Sequence, residues 1–216
     1  MVTGTQGAII ELGIFGLIDF EILQLVELTN LPIVIFVWMS FTVLTGLWEI
    51  SFVMNRKQIG STALSLLANR EKVWSKKYDC EMIIPWQLAI VFYSEYAAYA
   101  DREYMCRFDK WSVIIEGSHA LFCGGISFVS IMFNIYGYMY QFYFTLAMAM
   151  SFQLMNSILY MGQYIIQINN PHSVNYNRPA FPCGVMLYKR PFMYINVFWT
   201  VMPAYTLYFY MSHFYV

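Results

Sequence analysis

Long apolar segments constrain this chain more than any other feature. The segments 31–54, 111–134 and 139–168 can each cross a hydrocarbon core, which takes about 20 helical residues. A fourth segment, 191–215, is aromatic-rich and follows the same pattern. Only 12% of the 216 residues are charged, whereas about a quarter is typical of soluble domains. The sequence therefore predicts an all-α integral membrane protein with a single membrane domain over 1–216.

The number of spans depends on how the N-terminal segment is interpreted. Segment 7–26 is apolar but contains Glu11, Asp19 and Glu21, so it is either a further span or an amphipathic helix at the membrane surface. The sequence thus predicts a bundle of four to five transmembrane helices. Between the spans, 55–110 is predicted to be a connector with an interfacial helix at 85–100 at the mouth of the bundle.

The basic residues indicate the orientation in the membrane. All twelve lysines and arginines fall within 56–110 or 178–190. With four strong spans, both stretches lie on one side of the membrane, which is the positive-inside pattern of cytosolic loops in a multi-pass protein. The net charge of −1 argues against a nucleic-acid partner. The four cysteines and three histidines lack metal-ligand spacing, so neither a metal nor a cofactor is expected.

Polar residues inside the apolar segments are the candidate functional residues. An ionisable side chain at the centre of a span costs about 2.5–3.5 kcal/mol on insertion scales, so such residues face the bundle interior and are functional candidates. Helical spacing places Glu49 on one face with Thr45, and Glu116 on one face with His119. The other two strong helices carry Gln153, Ser157 and Tyr160, and Asn196 and Trp199. If these stripes point inward, they line a single cavity.

Such a cavity suits acid–base chemistry on an apolar substrate. A carboxyl group in an apolar site can keep its proton and donate it, and an aromatic face stabilises a transient cation. Competing interpretations stay open. Gln153, Ser157 and Asn196 could be hydrogen-bonding residues between helices, and the two glutamates could reach the interface. His119 and Trp199 could also be purely structural.

Four stretches carry a family pattern. They are "LWEISFVM" (47–54), "EYAAYADREYMCRFDKWSVIIEGSHALFCGG" (95–125), "FQLMNSILYM" (152–161) and "NVFWTVMP" (196–203). In order and spacing they resemble the emopamil-binding protein family, which comprises membrane sterol Δ8–Δ7 isomerases and their relatives. The matching residues of the second stretch are Tyr96, Ala97, Asp101, Arg102, Tyr104, Asp109, Glu116 and Gly124. The last stretch follows the family's Asn-x-x-Trp-x-x-x-Pro.

This resemblance implies a five-helix bundle in the endoplasmic reticulum, with an enclosed cavity open to the bilayer. It implies that Glu49 protonates a double bond and that Glu116 is its partner in proton transfer. Asn196 would hold a carboxylate and Trp199 would face the carbocation. Arg102 and Asp109 would belong to the start of a helix. We expect Thr45, Trp48, Gln153, Ser157 and Tyr160 to bind the substrate, and His119 to join the catalytic set.

The chain departs from the family pattern at three places. Thr45 stands where the sterol isomerases have a histidine one turn before the first glutamate, and His119 stands where they have a threonine. Asn156 and Ser157 replace a glycine and an aspartate. The imidazole has therefore moved to another helix, and it compensates for the loss only if the two helices face each other.

Three functions are compatible with these residues. The first is an isomerase that moves a ring double bond of a sterol-like isoprenoid. The second is a terpene or meroterpenoid cyclase, since some such enzymes carry a Trp-Glu pair in a membrane helix, as Trp48 and Glu49 do here. The third is a sterol- or amine-binding relative without catalysis. In each case the expected partners are a lipophilic sterol or isoprenoid and membrane lipid; a homodimer is compatible with the sequence.

Overall fold

The computed structural model describes residues 1–25, 31–100, 110–168 and 191–214. The described chain is mainly helical, with α1 (Gly4–Leu25), α2 (Ile33–Asn69), α3 (Pro85–Tyr99), α4 (Lys110–Ser118), α5 (Ile126–Ile135), α6 (Met139–Ile168) and α7 (Pro191–Phe214). A π-helical segment, His119–Gly125, joins α4 to α5. Two short strands, β1 (Val2–Thr3) and β2 (Lys77–Tyr78), pair antiparallel. The all-α prediction is confirmed at this level.

Three helices within the described ranges are long and apolar enough to cross a membrane, namely Ile33–Asn69, Val113–Ile135 and Met139–Gly162. They correspond to the predicted segments 31–54, 111–134 and 139–168. Helices α1 and α7 correspond to the segments predicted at 7–26 and 191–215, but α1 carries three acidic residues and α7 carries several tyrosines. The prediction of four to five spans therefore stays a prediction.

Helix α2 corrects one predicted boundary. The first strong span was expected to end near Met54, but α2 continues without a break to Asn69, so the connector begins later than residue 55. The reason is a second apolar face. Ile59, Ala63 and Leu66 recur at helical spacing and are buried in a cluster with residues of α3. The helix ends where Arg70 takes a left-handed conformation, with φ of 57°.

Helix α2 is the central element of the fold. Its extended half packs with α3 around Phe52 and Tyr93. Its first half packs with α6 around Phe36, Phe142 and Met150, in a second buried cluster. Because one helix belongs to both clusters, its side chains are placed between the two halves of the molecule.

Helix α1 runs antiparallel to α2. The Trp48 indole donates to Glu11 (Nε1–Oε1 2.9 Å), and the Ser40 hydroxyl donates to Asp19 (Oγ–Oδ1 2.5 Å). Two acids of α1 thus turn inward, where Glu11 and Asp19 are 3% and 4% exposed, while most of its leucines and isoleucines face outward. This distribution is the reverse of that expected for a helix facing water.

The predicted helix 111–134 is interrupted by the π-helical segment. There the chain passes very close to α2. A Cβ atom at Gly124 would lie 3.1 Å from the Gly46 Cα atom and 3.3 Å from the Thr42 carbonyl oxygen. Because glycine has no Cβ, the two backbones can approach this closely without displacing each other. This contact sets the distance between α2 and the residues that precede Gly124, including His119.

We expect Gly124→Ala to destabilise the protein, because the added methyl group meets backbone atoms that cannot rotate away. The cost should be about 1–3 kcal/mol, seen as a lower apparent Tm of the purified protein in detergent. Gly16→Ala is the matched control, because a Cβ at Gly16 has no neighbour within 4 Å and alanine favours the helix. Equal Tm values for the two variants would contradict the close contact.

Candidate functional site

The ten candidate residues come together around one cavity of about 640 Å³, a volume typical of small-molecule sites. The candidates that line it are Thr45, Trp48, Glu49, Glu116, His119, Gln153, Ser157, Tyr160, Asn196 and Trp199. They come from α2, α4, the π-helical segment, α6 and α7, so the polar stripes do converge. Asp101, Arg102, Tyr104 and Asp109 of the family pattern lie outside the described residues.

A buried pair stands at the centre of the site. His119 Nδ1 lies 2.6 Å from Glu49 Oε2, and the two residues are only 6% and 7% exposed. Helix α2 and the π-helical segment therefore face each other at this point. The imidazole of His119 thus reaches the glutamate that lacks a histidine at position 45. Two such atoms approach this closely only with a proton between them.

Hydrogen bonds around Gln153 determine where that proton sits. The Trp38 indole can only donate, so its 2.9 Å contact identifies Gln153 Oε1 as the acceptor. The amide nitrogen of Gln153 then donates to Thr42 Oγ1 at 3.2 Å and faces His119 Nε2 at 3.4 Å. Thr42 is free to accept because its own hydroxyl donates to the Trp38 carbonyl.

This arrangement selects one tautomer of His119. Because the Gln153 amide offers an N–H, Nε2 of the imidazole is the acceptor and its proton is on Nδ1. His119 then donates to Glu49 Oε2. Any acidic proton carried by Glu49 must consequently sit on the other oxygen, Oε1. Sequence analysis placed Gln153 among the substrate-binding residues; the structure gives it a further part in orienting the histidine.

Glu116 belongs to a separate polar contact. The Tyr93 hydroxyl donates to Glu116 Oε2 at 3.3 Å. The two glutamates are thus held apart by different partners, one by an imidazole and the other by a phenol. Although Glu116 and His119 share a helix face, it is Glu49 that pairs with His119. Tyr93 was not among the candidate residues, because nothing in its local sequence marks it.

Aromatic rings surround the central pair. The Trp199 ring stands perpendicular to the His119 ring, at 5.2 Å between centroids and an interplanar angle of 89°. Trp199 also stacks on Phe41 at 5.8 Å and 20° and contacts Trp38 at 4.9 Å. Trp199 is thereby fixed with its ring in the cavity wall.

Helix α7 is attached to α6 near the site. The hydroxyl groups of Ser157 and Thr200 lie 2.7 Å apart, and Thr200 also donates to the Asn196 carbonyl oxygen at 3.1 Å. Ser157 therefore serves as an interhelical hydrogen-bonding residue as well as a lining residue. The carboxylate-holding role expected for Asn196 stays a prediction; its position in the cavity wall does not test it.

Besides Tyr93, two further contacts near the cavity were not predicted from the sequence. Trp48 receives a buried partner from α1, since Glu11 Oε1 accepts its indole hydrogen. Lys72 and Glu95 form a salt bridge of 2.9 Å in the cavity lining. The acids of α1 were noted only as an ambiguity about the span. Lys72 was interpreted only as one of the basic residues of a cytosolic loop.

Comparison with family models, with curated proteins and with solved structures gives no match to this chain. The resemblance to the emopamil-binding family therefore stays a prediction. What the site itself offers is a buried carboxyl–imidazole pair, a second carboxyl group and a wall of aromatic rings. These groups can donate a proton to an apolar molecule, stabilise a cation and accept a proton.

We expect Glu49 and His119 to be energetically coupled. Removing one partner of a buried hydrogen bond leaves the other group unsatisfied and costs about 1–3 kcal/mol, so Glu49→Leu and His119→Leu should each lower the unfolding free energy. The double variant should cost less than the sum, with a coupling energy of about 0.5–3 kcal/mol. Denaturant unfolding in mixed micelles measures all four proteins. Glu21→Gln, which changes an exposed acid, is the control; strictly additive losses would contradict the pairing.

Proposed function

We propose that this protein is a membrane isomerase of the emopamil-binding type, which moves a ring double bond of a sterol-like isoprenoid. The observation that carries the proposal is the hydrogen bond between His119 and Glu49 beside the Trp199 ring. In the resemblance, the first glutamate has a histidine one turn before it. Here His119 brings an imidazole to the same glutamate from the opposite helix.

The proposed reaction begins with Glu49 in its protonated form. His119 occupies Oε2 as a donor, so the acidic proton is held on Oε1 and is delivered from there to one carbon of the double bond. The double bond is consumed and a carbocation forms at the adjacent ring carbon. Trp199 stabilises this cation through the negative face of its ring, an interaction worth about 0.5–2 kcal/mol.

Deprotonation completes the isomerisation. A proton leaves the carbon on the other side of the cation, and its bonding electrons form the shifted double bond. Glu116, oriented by the Tyr93 hydroxyl, is the proposed base. The substrate gains one proton and loses one, so no oxidant, reductant or cofactor is consumed. Proton exchange with water returns the two glutamates to their starting states.

The membrane location and the partners of the protein follow from the same proposal. An apolar substrate reaches the site from the lipid, so we propose that the cavity opens to the bilayer of the endoplasmic reticulum. The outward-facing leucines and isoleucines of α1, and its inward-facing Glu11 and Asp19, favour α1 as a fifth span. The expected partners are the sterol-like substrate and membrane lipid.

A cyclase is the second candidate, favoured by the number of aromatic rings. Phe41, Trp48, Phe92, Tyr96 and Trp199 all line the cavity. A polyene that folds before cyclisation forms cations at several successive carbons, and each needs an aromatic face nearby. The same acid would start either reaction, so substrate and product distinguish them.

Turnover of a Δ8 sterol tests the isomerase. Microsomes containing the protein, from a host lacking the activity, should produce the Δ7 isomer. In D₂O the product should carry one deuterium from the donated proton. Glu49→Gln should lower the rate at least about 100-fold, because general acid–base catalysis typically contributes that much. Glu21→Gln should leave it unchanged.

Two results would contradict the isomerase. One is unchanged sterol together with cyclisation of an epoxidised polyene by the same membranes, which would establish the second candidate. The other is tight binding of sterols or cationic amines without turnover of either substrate, which would indicate a binding protein.

We expect the rate to follow the aromatic character of residue 199. Trp199→Leu removes the ring facing His119 and should lower kcat about tenfold, within the range of a cation–π contact. Trp199→Phe keeps a ring and should lose less. KM should change little, since the cation exists only during the reaction. Equal kcat values for Trp199→Leu and Trp199→Phe would show that the ring of residue 199 contributes packing but does not stabilise the cation.

A further inference from the structure

A second charged group lines the same cavity. Lys72 Nζ lies 2.9 Å from Glu95 Oε1 and 3.0 Å from the centroid of the Tyr99 ring. The Glu95 side chain is 10% exposed, whereas that of Lys72 is 50% exposed. Glu95 Oε2 also accepts the backbone N–H of Val73 at 3.1 Å. The pair is thus fixed in position and combines a buried acceptor with an accessible donor.

An unbroken row of rings connects this pair to the catalytic region. Phe41 contacts both Trp199 and Trp48, the latter at 6.2 Å. Trp48 contacts Phe92 at 6.0 Å, and Phe92 contacts Trp74 at 6.4 Å. All five residues line the cavity, and Trp74 lies two residues from Lys72. The cavity is therefore polar at two places, with an aromatic wall between them.

The charges at the second place favour an uncharged ligand group. The salt bridge carries no net charge, so an anion would meet Glu95 and a cation would meet Lys72. Burial raises the pKa of the Tyr78 hydroxyl to about 12, and the negative charges of Glu95 and Glu71 contribute to this shift. An anionic ligand group is disfavoured in such surroundings.

A hydroxyl group fits the pair. An ammonium group has three N–H donors, and the salt bridge uses one of them. A ligand hydroxyl can accept from a second N–H and donate its own hydrogen to the carboxylate. It would thereby complete a three-membered hydrogen-bonded group, with the apolar body of the ligand against the rings.

We infer that Lys72 and Glu95 form a binding subsite for the hydroxyl group of an amphipathic, sterol-like alcohol. The ligand lies along the ring row from Trp74 to Trp199, with its hydroxyl at Lys72 and its apolar body reaching the Glu49–His119 pair. That the reacting ring double bond lies beside the Glu49–His119 pair rests on the proposed function. The hydroxyl subsite itself is a binding property and is testable without turnover.

The experiment compares three tritiated probes: a sterol with a free ring hydroxyl, its methyl ether and its sulfate ester. The full-length protein is reconstituted in phosphatidylcholine nanodiscs, and Kd is measured for each probe. The wild type should bind the alcohol at least about tenfold more tightly than the ether, because hydrogen bonds to charged groups are worth about 1.5–3 kcal/mol. The sulfate should bind more weakly than the alcohol.

In Lys72→Met the Kd values of the alcohol and of the ether should both rise, because either oxygen can accept a hydrogen bond from the ammonium group. In the double variant Lys72→Met/Glu95→Gln the ratio of ether Kd to alcohol Kd should fall well below its wild-type value, because the carboxylate that accepts the ligand's hydrogen is replaced; this variant also leaves no unpaired buried carboxylate. Lys76→Met is the matched control. Lys76 is in the same loop and pairs with Glu71 at 3.4 Å, but it is not among the residues lining the cavity.

Three results would overturn the subsite: a wild-type hydroxyl preference in Lys72→Met/Glu95→Gln, tighter binding of the sulfate, or no saturable binding of any probe to the wild type. The isomerase assay is scored separately. Loss of the hydroxyl preference in Lys72→Met/Glu95→Gln without any sterol turnover would support the subsite and contradict the isomerase. Glu49-dependent turnover, together with equal Kd values for the alcohol and the ether, would support the isomerase and contradict the subsite.

Discussion

The hydrogen bond between His119 and Glu49 is the interaction on which the rest of the site depends. It joins two helices at a buried point, where an unpaired carboxylate or imidazole would be costly. Its direction is determined by Gln153, which is itself fixed by Trp38 and Thr42. The outcome is a glutamate with one oxygen occupied by a donor and the other left for a proton.

The sequence indicated which polar residues line this cavity because polar residues inside apolar segments are rare. Glu49, Glu116 and Gln153 stand out from their apolar surroundings, and helical spacing alone places each on an inward face. All of them line the cavity. The helical segments 111–134 and 139–168 were predicted from their length and apolar composition.

What the sequence did not reveal depends on contacts between distant segments. Nothing near Glu11 indicates that it bonds Trp48, and nothing near Tyr93 indicates Glu116. The end of α2 was misplaced because Arg56 and Lys57 read as the edge of a span, whereas the helix continues along α3. Lys72 had an ordinary explanation as a positive-inside residue, so its place in the cavity lining went unnoticed.

The contact between Gly46 and Gly124 links the architecture to the chemistry in one more way. Side chains in a site can usually adjust by rotation, but here the separation of two backbones sets how far His119 stands from Glu49. Neither glycine lines the cavity. The distance between His119 and Glu49 therefore depends on two residues outside the cavity lining, so a single methyl group added behind the site would change the geometry of the pair without altering any side chain in it.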